Sequence, residues 1–375
     1  MPATSKKQAT AMRMALAARK GDLEVSKLKG AALEIYKSDM TNKEIEDFTV
    51  IESLKNYIND MKNLTEYILE NSGDVNMQPQ TTNELKKTIK VLIKQRGNDA
   101  DLNDVDVSGI DDMSELFVPH KKFNGDISKW DVSNVKNMTS MFFETHFNEN
   151  ISGWDVSSVK NMERMFDECN FFAQDISSWD VSRCENMSGM FSGCYAFNQP
   201  LNSWNVSKVR DMSDMFSTAE TFNQPLNDWD VSSVENMSGM FQGAHSFNQP
   251  LDNWDVSNVE RMDSMFWGCY YFNQPLNSWN VSKVRDMSGM FHSCYYFNQP
   301  LDNWDVSSVE FMSFMFDTAL SFNADISGWN VGRFTSVRSM FCCAKSFKQD
   351  ISGWKLADER KKELHKGRNR YKAYG

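Results

Sequence analysis

The stretch "FNQPLNSWNVSKVRDMSDMF", Phe197 to Phe216, returns 75 positions later as "FNQPLNSWNVSKVRDMSGMF", Phe272 to Phe291, with one change. Self-similarity at a fixed period marks a repeat architecture, so the chain is best laid on a ruler before anything else is read. The ruler is 25 residues long: a Trp falls at 130, 154, 179, 204, 229, 254, 279, 304, 329 and 354, with one 24-residue coil between Trp130 and Trp154.

Within the coil beginning at Leu201 the apolar positions are Leu201, Trp204, Val206, Val209, Met212, Met215, Phe216, Ala219 and Phe222. Trp204, Val206, Met212, Phe216 and Phe222 are the expected core ladder. Trp204 and Val206, two apart, fit one face of a short strand, and the later steps of three fit a tight helical turn. The expectation is therefore an α/β, leucine-rich-repeat-like solenoid of about ten coils, each a short strand plus a helical turn, preceded by an α-helical N-terminal region. The Asp or Asn before each Val (Asp131, Asp155, Asn205, Asp230 and their equivalents), followed by Ser, suits a side chain that bonds its own backbone and closes a corner. A single coil cannot bury its own apolar face, so the repetition is itself the route to stability.

Punctuation divides the rest. Apolar residues at steps of three and four from Ile51 to Ile68 predict helix, and the expected divisions are a helical head at 1–73, a link at 74–80 and a capping helix at 81–97. The repeat body follows at 98–355, then a basic cap or tail at 356–375. In "TTNELKKTIKVLIKQRG" Glu84 stands three after Thr81 and Gly97 closes the run, the signals of a capped helix start and stop.

The 375 residues carry 40 Lys and Arg against 51 Asp and Glu, but the balance is uneven along the chain. Residues 1–100 hold 16 basic and 14 acidic side chains and 356–375 hold 7 and 3, leaving 17 basic against 34 acidic for 101–355. A repeat body at −17 repels phosphate backbones, which argues against nucleic acid as its ligand. The first twenty residues hold five Lys or Arg and no acid, and are the one segment with the charge to touch nucleic acid. No apolar run reaches the ~20 residues of a membrane helix and no secretory signal is read at the start, so a soluble protein of cytoplasm, host cell or virion is expected rather than a displayed one.

Chemistry finds few handles. The five histidines, His120, His146, His245, His292 and His365, read as scattered over different coil positions, and no metal site is expected from them. Phosphate-cradling, dinucleotide and nucleophile-elbow motifs are absent. Four of the seven cysteines, Cys169, Cys194, Cys269 and Cys294, share a position that other coils fill with Ala219, Ala244 and Ala319, which reads as a small buried slot holding free thiols. The expectation is a protein without catalysis, cofactor or metal. Positions that vary between coils while the apolar ones stay fixed carry recognition: Lys208, Arg210, Tyr270, Tyr271, Tyr295 and Tyr296 are the candidate partner-binding surface, exposed aromatics being common interface anchors.

The units "FNQPLNSWNVSKVRDMSDMF", "FNQPLDNWDVSNVERMDSMF" and "FNGDISKWDVSNVKNMTSMF" resemble the BspA-like repeats of bacterial surface proteins, a leucine-rich-repeat-type family also met in mycoplasmas and large DNA viruses. The resemblance covers about 101–354 and implies protein or host-surface binding. The first 48 residues resemble a small uncharacterised family of phages and large viruses, which implies a viral or phage-related origin. A protein-interaction scaffold is thus the first functional expectation. A structural component, of a virion or self-assembling, is the alternative, and a bacterial adhesin exported by an unrecognised route is the second alternative.

Overall fold

The computed structural model describes residues 11, 14–16 and 75–364. The chain divides into two compact units, Met1–Val75 and Asn76–Gly375. Of the first, Ala11 and Met14 to Leu16 are helical, with Ala11 and Ala15 buried; the remainder of the predicted head, 1–73, lies outside the described residues, as do residue 74 of the predicted link and 365–375 of the predicted tail.

The second unit begins with α1, Thr82–Arg96. Thr81 caps it by accepting from the Glu84 amide, Gly97 ends it at φ 90°, and Leu85, Ile89, Val91, Leu92 and Ile93 form its buried side. The helix lies against the first coil: the Thr82 hydroxyl donates to the Asp112 carbonyl at 2.7 Å, and Arg96 forms a two-pronged pair with Asp104 at 2.7 and 2.8 Å.

The coils that follow correct the sequence reading. Among the described residues no coil contains a strand or a helix; neighbouring coils share only single parallel bridges, such as Asp211 with Asn236 and Asn236 with Arg261. An α/β solenoid with a strand in every coil is therefore not the architecture. Each coil is instead a chain of tight turns. The Trp204 amide donates to Leu201, Val209 to Val206, Met215 to Met212, Ala219 to Phe216 and Phe222 to Ala219, every bond closing over three residues. Apolar residues three apart thus fall on one side of successive turns, which is the spacing that suggested a helical turn.

Between those bonds, alternate residues reach outward to the next coil. Met212, Asp214, Phe216 and Thr218 donate amide protons to the carbonyls of Asn236, Ser238, Met240 and Gln242. A strand would hold extended dihedrals throughout. Here Asp214 and Thr218 sit at φ 54° and 55°, the left-handed region, and the same two columns recur in other coils as Ser140, Arg164, Glu168, Gly189 and Gly193. Left-handed residues every fourth position turn the chain back on itself, so a ladder forms without a sheet.

The ladder has a direction. Four amides point forward in a coil such as that of Met187, Gly189, Phe191 and Gly193, whereas the two that point back, Glu185 and Asn186, share the single carbonyl of Lys160. The leading coil is therefore left with carbonyls to satisfy and the last with amides, in the manner of helix ends. Thr82 serves the first, and at the other end Ser339 and Phe341 donate to the carbonyls of Glu363 and Leu364, just after the short helix α2, Asp358–Lys361.

The interior is columnar. Trp204, Val206, Met212, Phe216 and Phe222 are at most 3% exposed, and the ten Trp of the ruler lie between 2% and 4%. Each indole N–H donates to a Leu or Ile carbonyl of the preceding coil, Trp204 to Ile176 at 3.2 Å and Trp229 to Leu201 at 2.8 Å. The Leu201 carbonyl also accepts the Trp204 amide, so both of its lone pairs are used. Phenyl rings stack alongside: Phe216 lies 4.1 Å from Phe222 and 5.7 Å from Phe241, ring centre to ring centre.

Polar columns keep the register. Asn198 accepts the Asn223 amide, Asn223 that of Asn248 and Asn248 that of Asn273, which gives the repeated "FNQ" its purpose. Asn205 and Asp230 accept the amides of Ser207 and Ser232 two residues on, at 3.1 Å each.

Candidate functional site

The outward columns change chemical character from coil to coil, whereas the buried ones vary only among small or apolar residues, and two of the outward columns carry chemistry. The first lies beside the buried Phe222, Phe247, Phe272 and Phe297 column. His245 stacks on Tyr270 at 4.4 Å, and Tyr270 on Tyr295 at 4.8 Å, with planes within 7°. One residue further along, Tyr271 and Tyr296 stack at 5.7 Å and stand 58% and 56% exposed. Tyr270 and Tyr295 are half-buried, so this edge has an inner row that packs and an outer row that is presented. Phe171, at the same coil position as Tyr271, is also exposed and makes an edge contact with His146 at 5.3 Å.

Lys208 and Arg210 are exposed but belong elsewhere in the coil. Arg210 pairs with Glu235 across adjacent coils at 3.0 Å, and Arg285 with Glu310 at 3.1 Å, at a position that carries charges of both signs along the stack. Arg210 and Glu235 line a groove of about 340 Å³ with Ser233, Asn258, Glu260 and Lys283, a polar surface with no aromatic side chain. Of the six residues read as a partner-binding surface, the four tyrosines are brought together, Arg210 lines a separate polar groove, and Lys208 is exposed without being part of that groove.

The second column runs one residue after the buried Phe216, Phe241, Phe266, Phe291 and Phe316. Its members are Ser217, Gln242, Trp267, His292, Asp317 and Cys342, each 25 residues after the last. Trp267 and His292 meet edge to face at 4.3 Å. The His292 Nδ1 faces the Asp317 carboxylate at 3.7 Å, and Nδ1 is buried with no hydrogen-bond partner. Cys343, at φ 60°, turns its sulfur to within 3.7 Å of that of Cys342. One donor atom each from Asp317, Cys342 and Cys343 lies within 4.8 Å of the others.

Burial shapes the electrostatics of this cluster. It raises the Asp317 pKa, opposed by His292, and lowers that of His292, opposed by Asp317. Burial, with the Asp317 charge second, pushes the Cys342 thiol up to about 12. The sequence reading missed the site because its histidines were read along the chain. Read down the ruler, His292, Asp317 and Cys342 occupy one position on three successive coils.

The remaining cysteines are inert by comparison. All seven are free, and Cys194, Cys269 and Cys294 donate to the carbonyls of Phe166, Phe241 and Phe266 at 3.0, 2.9 and 3.0 Å. Burial pushes the Cys169 thiol up to about 12. The corner carboxylates are satisfied locally: bonds from Ser157, Ser182, Ser257 and Ser307 hold Asp155, Asp180, Asp255 and Asp305 below the ordinary carboxylate pKa. Among the described residues no helix is long and apolar enough to cross a membrane.

Comparison with known proteins agrees with the repeat reading. The family described as "Mycoplasma protein of unknown function, DUF285" matches three times, over 85–202, 185–294 and 268–365. Residues 3–53 are similar to a second family, described as a protein of unknown function, DUF3008. No curated protein is found to match the chain. The three matches together span more than half of the sequence, so the chain belongs to the DUF285 repeat family.

Proposed function

We propose that this member of the DUF285 family is a non-enzymatic scaffold that binds another protein through the aromatic edge of its coils. The observation that carries the reading is the stacked, exposed pair Tyr271 and Tyr296, backed by the half-buried row His245, Tyr270 and Tyr295. An aromatic ring held by its neighbour brings contact area with little further loss of rotamer freedom, which is what makes such residues anchors. The inner columns give the edge its rigidity, and the variable positions give it an identity that other members of the family need not share. The resemblance of the repeats to BspA-like surface proteins supports the same class of activity, and the N-terminal likeness to phage and large-virus sequences supports a host protein as the partner.

A photo-crosslinking side chain placed at 271 or 296, and for contrast at 208, tests this. The reading expects saturable capture of one protein at 271 and 296, lost when Tyr270, Tyr271, Tyr295 and Tyr296 are changed together to Ser. Capture at 208 alone overturns it.

The uneven charge favours a second reading, self-association of an acidic repeat body with basic ends. Salt-dependent sedimentation of the pure chain distinguishes it, since screening weakens such contacts within a Debye length of roughly 10 Å at 0.1 M. The closed ends of the ladder count against growth by backbone pairing from coil to coil.

A further inference from the structure

We propose that His292, Asp317, Cys342 and Cys343 form a binding site for a soft divalent cation, of which Zn²⁺ is the type, cross-bracing the last coils of the stack. The four side chains come from three consecutive coils held in register by their backbones, Ser293 donating to Asp317 at 2.8 Å and Thr318 to Cys342 at 2.7 Å.

The donor set is of the kind zinc takes, two sulfurs with a nitrogen and a carboxylate oxygen. Geometry supports it independently. In a tetrahedral site with metal–sulfur bonds of about 2.3 Å, two thiolates stand about 3.8 Å apart, since a tetrahedron's edge is about 1.63 times the bond length. The Cys342 and Cys343 sulfurs are 3.7 Å apart. Nitrogen and oxygen ligands at about 2.1 Å stand about 3.4 Å apart by the same rule, and His292 Nδ1 and Asp317 Oδ2 are 3.7 Å apart. Asp317 joins the sulfurs within 4.8 Å, so three donors already converge, and His292 comes to the group through its approach to the Asp317 carboxylate.

The unpartnered His292 Nδ1 is the second pointer. A buried imidazole nitrogen without a hydrogen bond costs free energy unless something occupies its lone pair, and here it is turned towards the carboxylate rather than away from it. Thr318 donates to the other carboxylate oxygen, Oδ1, at 3.0 Å and leaves Oδ2 for the metal side. Cys343 is the half-exposed member, which provides a way in from solvent. No other three or more His, Cys, Asp or Glu side chains among the described residues gather in this way. Binding releases the two thiol protons to solvent as the sulfurs coordinate as thiolates, with no change of oxidation state.

The test uses the full chain, reduced with a phosphine and stripped of metal, titrated with Co²⁺ as a coloured probe and then with Zn²⁺. The expected result is one equivalent of Co²⁺ giving a thiolate-to-cobalt charge-transfer band with the visible bands of a tetrahedral ion, displaced stoichiometrically by Zn²⁺. Cys343→Ser and Asp317→Asn should each weaken binding by at least about 100-fold, beyond the 10- to 100-fold effect of losing a supporting residue. His292→Ala should weaken it and shift the visible bands. Cys343→Ser is the chief variant, because its half-exposed position lets the unliganded chain melt as the parent does. The proposal is overturned if the reduced chain gives no charge-transfer band. It is equally overturned if the band survives Cys343→Ser, or if mass spectrometry finds Cys342 bonded to Cys343 in chain never exposed to oxidant.

Discussion

Two columns one residue apart hold the lesson of this molecule. Phe172, Phe197, Phe222, Phe247, Phe272, Phe297 and Phe322 are the same residue in every coil and fully buried. The residues just before them, Phe171, Ala196, Thr221, Ser246, Tyr271, Tyr296 and Ser321, change from coil to coil and face outward. Their backbones follow the same turns. What separates them is whether the side chain must fit against the coil above and below, and only the inner column has that duty. The fold is written in the columns that repeat, and recognition is free to be written in those that do not.

The largest effect that would break this division belongs to the Trp column. Trp204→Ala should cost roughly 3 to 5 kcal/mol, the range for emptying a large buried aromatic. Trp204→Phe separates its two roles: most of the burial stays, the Ile176 carbonyl loses the indole donor, and the loss should fall near 1 to 3 kcal/mol. Equilibrium denaturation of both variants measures this. A Trp204→Phe variant as stable as the parent would show that the indole bond contributes nothing.

A smaller loss is expected at the left-handed positions. Gly193, at φ 69°, would place an added Cβ 2.8 Å from the Glu168 side chain, so Gly193→Ala should destabilise by about 1 to 2 kcal/mol, the penalty for a side chain in that region. The same denaturation measurement at Ser217→Ala, an outward position, should show a change within about 0.5 kcal/mol.

Acid sharpens the picture of the corners. Asp155, Asp180, Asp255 and Asp305 have folded-state pKa values below the ordinary one because Ser donors favour the charged form. Their contribution is therefore present above an unfolded pKa of about 3.9 and is lost as pH falls through the lower folded values. The melting temperature should hold from neutral pH to about 4 and decline below it. An unchanged melting temperature at lower pH would remove the corners from the account.

Thiol labelling gives the smallest and most selective readout. A soluble alkylating reagent should modify Cys343 in the native chain and leave Cys169, Cys194, Cys269 and Cys294 unmodified until denaturant is added. Peptide mass spectrometry after timed quenching distinguishes these outcomes.

Much of this was legible in the sequence, and the failures have physical causes. The period, the inward columns and the variable outward ones follow from counting. The strand expected at Trp204 and Val206 does not form because spacing of two describes a side-chain face and not a ladder. At Asn205 the side chain takes the Ser207 amide, and the bonds between coils are made further on, from Met212 to Thr218. The left-handed turns were hidden because Ser140, Arg164, Asp214 and Thr218 hold them as well as Gly193 does, so no glycine signature marks the column. His292 was read among four unrelated histidines, whereas its partners lie 25 and 50 residues ahead, one and two coils away.

The division between repeating and varying columns is tested most directly by unfolding free energies at two adjacent positions, Phe272→Ala and Tyr271→Ala. The account predicts a loss of roughly 3 to 5 kcal/mol for Phe272 and no more than about 1.5 kcal/mol for Tyr271, the worth of its stack on Tyr296. Equal losses at the two positions would contradict it, because the outward column would then carry the fold as the inward one does.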